Sequence, residues 1–154
     1  MNIFTELIYE DLINLDNRSA DTEAFFKEAT ERLTGRDFVE NTFQDAITVR
    51  EKKFPTGLEL EHTAIAIPHT DVEHITKPFI YINKIHSSTL EFVQMGTDDV
   101  YVKPEFVIML GIKDPKEQLG MLSKLMEVFS NEDFLEKMKA VTKEQEVLKL
   151  FNEL

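Results

Sequence analysis

Pro104-Glu105-Phe106-Val107-Ile108-Met109-Leu110-Gly111-Ile112 is the stretch on which the reading of the whole chain turns. From Phe106 onward it is apolar without alternation, which predicts a strand buried on both faces and therefore central in its sheet. Directly behind it, Asp114-Pro115-Lys116-Glu117 has the form of a capping box with proline at the first helical position. Leu119, Leu122, Leu125, Met126 and Phe129 then fall on one helical face. Asn131 is placed to cap a second helix that buries Phe134, Leu135 and Met138. Thr142-x-x-Gln145 opens a third, with Val147, Leu148, Phe151 and Leu154 on its apolar face.

Upstream of the central strand the period shortens. Leu58–Glu61 alternates apolar with charged, Ala64–Ile67 is an apolar run stopped by Pro68, and Phe79–Ile85 and Glu91–Met95 complete the set of predicted strands, with Ser87-Ser88-Thr89 as a turn. Further back the spacing is helical again. Phe25, Phe26, Ala29 and Leu33 mark a helix over Asp21–Leu33 that stops at Gly35. Phe38, Val39, Phe43, Ala46 and Ile47 mark another that runs to Phe54-Pro55-Thr56-Gly57, with Arg50 in its last turn. The segment Ile8–Ile13 reads equally as strand or helix. Two helices before the strands and three after them predict an α/β fold, a three-layer α/β/α sandwich with a central mixed sheet of four or five strands. With no linker or repeat in 154 residues, the expectation is one domain over 1–154.

Composition narrows the function. Lys+Arg 17 against Asp+Glu 29 gives a net charge of −12, which disfavours attraction to nucleic acid or to an anionic membrane surface. With no cysteine there is no disulfide framework, no thiolate ligand and no thiol nucleophile. The acidic opening and the lack of an 18-residue apolar run predict a soluble, cytoplasmic protein. The local signatures of nucleotide-binding loops, serine hydrolases and zincins are also missing.

Four histidines remain. His62 and His74 lie in acidic segments and His86 follows a strand end; each reads as an ordinary imidazole, and together they have no metal-ligand spacing. His69 differs, because it comes straight after a buried strand stopped by Pro68, at the kind of strand end where ligands bind in α/β sheets. The residues alone leave a functional His69 and an ordinary surface histidine both open. Glu59 and Glu61 alternate with Leu58 and Leu60, so they read as the wet face of a strand rather than as an acid–base pair.

Ala64-Ile65-Ala66-Ile67-Pro68-His69-Thr70, with Arg50-Glu51 upstream and Phe54-Pro55-Thr56-Gly57-Leu58 between, resembles enzyme IIA of the bacterial sugar phosphotransferase system, in its fructose/mannitol/galactitol class. The Pro-Thr-Gly-Leu turn and Phe92-x-x-Met95 make the galactitol type the most similar. The resemblance implies a phosphocarrier in which His69 accepts a phosphoryl group from phosphorylated HPr and passes it to an enzyme IIB component, with the enzyme IIC permease downstream and no cofactor or metal. Neutral imidazole suits this role as a nucleophile available near pH 7.

Arg50 matches the family's active-site arginine and can clamp phosphoryl oxygens with its fork; on its own it reads as the charge that offsets a helix C-terminus, worth about 0.3–1 kcal/mol. Glu51 is a candidate to orient Arg50 or else an exposed helix-end carboxylate. Thr70 can offer its hydroxyl or amide to phosphate, and Asp71 can cap a short helical turn. Mannitol-type relatives carry a second active-site histidine near the start of the helix after the long buried strand; Gln118 stands there in this chain. It is read as a neutral donor or a solvated helix position. Two other functions compete: a regulatory relative of the nitrogen type, whose phosphorylation state controls a partner without sugar transport, and a non-catalytic acidic interaction domain.

Overall fold

A computed structural model describes residues 2–154. Its five-stranded sheet runs in the order β1-β4-β7-β3-β2, formed by β1 (Ile8–Asn17), β2 (Gly57–Glu59), β3 (Ala64–Ala66), β4 (Phe79–Ile85) and β7 (Phe106–Gly111). β7 is the middle strand, and every residue of it is buried. It lies parallel to β3 and antiparallel to β4, while β1 lies parallel to β4 and β2 antiparallel to β3, so the sheet is mixed as expected.

Alternation along the strands sorts side chains into two cores. Phe106, Ile108 and Leu110 of β7 join Ile80 and Ile82 of β4 beneath α3 (Pro115–Phe129), α4 (Glu132–Ala140) and α5 (Glu144–Asn152). Val107 and Met109 join Phe79 and Tyr81 beneath α1 (Thr22–Thr34) and α2 (Phe43–Lys53). The helices thus cover both faces of the sheet. Gly111 pairs with Phe79 across β4 and β7, and a β-carbon there would enter the Phe79 ring.

Several expectations are settled or corrected. Ile8–Ile13 belongs to a strand, the edge strand β1. The second helix begins at Phe43 rather than Phe38: Asp37 turns the backbone at φ 59°, and the Phe38 carbonyl accepts from Thr76 and Lys77. Phe38 and Val39 are nonetheless buried, so loop side chains imitate a helical period. Of Glu91–Met95 only β5 (Phe92–Val93) is a strand, and it pairs with the unforeseen β6 (Tyr101–Val102) in a separate ribbon. Leu119 is not on the buried face of α3; it is 69% exposed, and Met121 takes the inward position. Asp114 does cap α3, accepting from the Lys116 N–H. At α5 the Glu146 carboxylate, not Gln145, accepts from the Thr142 and Lys143 amides, and Leu154 lies exposed beyond the helix.

Candidate functional site

The parallel β3 and β7 deliver their C-terminal ends to the same edge of the sheet. Beyond β3 the chain stays tied to the central strand, because the Leu110 N–H donates to the Pro68 carbonyl at 3.0 Å. Proline has no N–H of its own with which to prolong strand pairing, so the chain leaves the sheet at His69. A single 3-10 turn, Val72–His74, then returns it toward β4.

His69 is 7% exposed, and its Nδ1 lies 2.9 Å from the Ile67 carbonyl. A carbonyl can only accept, so Nδ1 carries the proton and Nε2 keeps its lone pair. Burial is the main influence that holds the imidazole below its ordinary pKa of 6.5; the nearby Arg50 charge acts the same way, against the raising influences of the Ile67 bond and Asp71. The ring is therefore neutral at pH 7 and nucleophilic at one defined nitrogen.

Arg50 occupies the last turn of α2. Its guanidinium stacks over Phe54 at 4.6 Å and pairs with Asp71, two residues beyond His69, at 3.4 Å. Its buried Nε has no partner, a donor left to be satisfied. Lys52 and Lys53 follow it, so a chain of net charge −12 concentrates three cations at this helix end. Val49, Arg50, Phe54, Thr70, Asp71 and His74 wall a cavity of about 690 Å³ beside the His69 loop, although His69 itself is not in the wall. Thr70 is 3% exposed and faces that cavity.

Glu51 neither orients Arg50 through a hydrogen bond nor lies free in solvent. It turns to the Phe54–Gly57 turn, where its carboxylate accepts from the Thr56 N–H at 2.7 Å and the Thr56 hydroxyl at 2.8 Å. Burial pushes its pKa up to about 7, against the lowering effect of those bonds and of Arg50. Asp71 precedes the 3-10 turn but makes no side-chain cap; Arg50 has taken its carboxylate. Gln118 sits half-buried near the start of α3, with a buried, unpartnered Oε1. No hydrogen bond joins it to His69, and it is not a fully solvated position either.

The other histidines lie beside polar side chains. His86 Nδ1 lies 2.7 Å from Asp16, and His62 lies 3.9 Å from both Glu61 and Glu132. His74 is less ordinary than its acidic neighbours suggested, since it bonds Thr42 at 2.7 Å and lines the cavity with Arg50. Sequence reasoning also passed over Thr56, whose role needs a partner five residues back, and Val49 and Phe54. The last two are 50% and 59% exposed, Val49 off the apolar face of α2 and Phe54 directly past its end. Among the described residues, no three His, Asp or Glu side chains gather as a metal site, and no helix is long and apolar enough to cross a membrane.

Residues 6–154 match the family described as phosphoenolpyruvate-dependent sugar phosphotransferase system, EIIA 2, and the chain belongs to that family. Its members are phosphotransferases that carry a phosphohistidine. The galactitol-specific EIIA component of Escherichia coli K12 is 34% identical over 108 residues, 68% of each chain. The fold is shared with IIA mannitol from Escherichia coli, at TM-score 0.70 and 24% identity, covering 92% of this chain and 96% of that one. It is shared equally with the nitrogen regulatory protein IIA-Ntr from Neisseria meningitidis, at TM-score 0.75 and 22% identity, covering 97% and 99%.

Proposed function

We propose that residues 1–154 work as one enzyme IIA domain whose phosphorylated atom is Nε2 of His69. The observation that carries this is the bond from Nδ1 to the Ile67 carbonyl, which leaves one lone pair on a rigidly held, neutral ring. Nε2 attacks the phosphorus of phosphohistidine on HPr; a new P–N bond forms as the donor's P–N bond breaks, and the electron pair returns to the donor imidazole. Positive charge that builds on the His69 ring is carried by the Nδ1–H bonded to Ile67. Arg50, with its unpartnered Nε, and the Thr70 hydroxyl or amide supply donors for the phosphoryl oxygens, and the side-chain NH₂ of Gln118 is the further neutral donor in this reading. Transfer to an enzyme IIB component reverses the step, for onward delivery through the enzyme IIC permease.

The 34% identity to a galactitol-specific component supports a sugar-alcohol transport role over the nitrogen-type regulatory one, since the likeness to IIA-Ntr is one of fold. A carrier that exchanges phosphoryl groups with HPr belongs in the cytoplasm. Incubation with purified phospho-HPr, followed by intact mass spectrometry, tests the reading. One acid-labile, alkali-stable phosphoryl group is expected, absent from His69→Ala; undiminished labelling of His69→Ala overturns it.

A further inference from the structure

We propose that Glu51 is a positioning residue for His69, acting through Thr56 and Ile67 to fix the tautomer and aim of the imidazole. This rests on the phosphocarrier reading of His69. The connection is a relay of hydrogen bonds between three chain segments that sequence does not make neighbours. At the end of α2 the Glu51 carboxylate takes both the N–H and the hydroxyl of Thr56, at 2.7 and 2.8 Å. The Thr56 carbonyl then accepts the Ile67 N–H at 3.3 Å, and the Ile67 carbonyl accepts the His69 Nδ1–H at 2.9 Å. Thr56 and Ile67 each donate through their N–H and accept through their own carbonyl, so displacing Thr56 moves Ile67 and with it the carbonyl that selects the His69 tautomer.

The surroundings make the relay stiff. Thr56 is buried, and Gly57 beside it is pinned by the Met95 N–H at 2.8 Å. A β-carbon at Gly57 would collide with the Val93 carbonyl and the Val102 side chain, so the turn fits closely under the β5–β6 ribbon. On the other side Pro68 is tied to Leu110. Ile67 is thus held between the central strand and Thr56, and among the described residues only Glu51 hydrogen-bonds the Thr56 side chain.

The clamp survives protonation of the carboxyl. One oxygen still accepts from the Thr56 N–H while the protonated oxygen donates to the hydroxyl, whose hydrogen rotates away. Glutamine reproduces that arrangement with its carbonyl oxygen and its NH₂, whereas alanine leaves two buried donors unpaired.

The test is nitrogen-15 NMR of the imidazole together with single-turnover transfer from phospho-HPr, on the wild-type protein, Glu51→Ala, Glu51→Gln and Thr56→Val. Wild type is expected to show the Nδ1–H tautomer alone. In Glu51→Ala both tautomers should appear and transfer should slow by about 10- to 100-fold, the range that small misplacement of a reacting group produces. Glu51→Gln should restore both readouts. Should Glu51→Ala fail to fold, Thr56→Val, which removes one of the two contacts, gives the same shift in smaller measure. An unchanged tautomer and rate in the folded variants overturn the proposal. So does a slowed rate with the tautomer intact, or a Glu51→Gln protein no better than alanine. Wild-type protein that takes no phosphoryl group at His69 would instead overturn the phosphocarrier reading, and the tautomer spectra would still judge the relay by themselves.

Discussion

β4 runs between two histidines that each follow a strand, His69 after β3 and His86 after β4 itself. Near its start lies His69, bonded to a backbone carbonyl, nearly sealed from solvent and without a carboxylate on either nitrogen. Just past its end lies His86, exposed and bonded to the Asp16 carboxylate, whose pKa is lowered first by that bond and then by Arg18. A carbonyl can only accept, which places the His69 proton on Nδ1 and leaves Nε2 its lone pair, while burial holds that ring below its ordinary pKa; His86 is exposed and has no such burial. What sets His69 apart from His86 is its burial together with a partner that can only accept.

The largest effect that comparison predicts is also the bluntest. His69→Ala should abolish phosphoryl acceptance, while His86→Ala, at the far end of the sheet, should leave the rate within error of wild type. A loss in both would erase the distinction.

Arg50→Lys comes next. It keeps the charge and loses the planar fork, so transfer should slow by about 100-fold, the lower end of the range for a lost transition-state donor. Stability should hardly change, because a partly exposed pair such as Arg50–Asp71 contributes only about 0–1 kcal/mol. A rate near wild type would reduce Arg50 to a helix-end charge.

Stability against pH sharpens the contrast further, since two groups at the site end pull in opposite directions. Glu51, at about 7 when folded and near 4.5 when unfolded, binds its proton more tightly in the native state, so its contribution falls as pH rises between those values. His69, held below 6.5, is the reverse: its contribution is complete above 6.5 and is lost as pH falls through that value toward the folded pKa. Glu51→Gln removes only the first effect. Thermal unfolding should therefore show Glu51→Gln gaining on wild type by more at pH 8 than at pH 5, and a gap independent of pH would contradict the assignment.

Gln118→Ala should be the smallest change, a slowing equivalent to about 0.5–1.5 kcal/mol for one neutral donor. No change at all would place Gln118 outside the site.

Long-period features were legible in the chain. The unbroken apolar run Phe106–Ile112 gave the central strand because a strand covered on both faces has no polar side to show. Ile67-Pro68-His69 marked the strand end because proline has no N–H with which to continue the ladder. Failures came where tertiary contacts outvote local pattern. Phe38 and Val39 are buried by a loop that bonds to Thr76, and β6 exists only against β5. The role of Glu51 escaped for the same reason, since the Thr56 hydroxyl and amide it holds become a binding site only once the turn after α2 has closed.

The central claim, that Nε2 of His69 carries the phosphoryl group because Nδ1 is committed to Ile67, can be tested on the phosphorylated protein itself. Phosphorus–nitrogen coupling in protein labelled with nitrogen-15 at histidine, after transfer from phospho-HPr, should appear on Nε2 of His69, with Nδ1 still protonated. Coupling at Nδ1, or on the ring of His74 or any other histidine, would contradict the account.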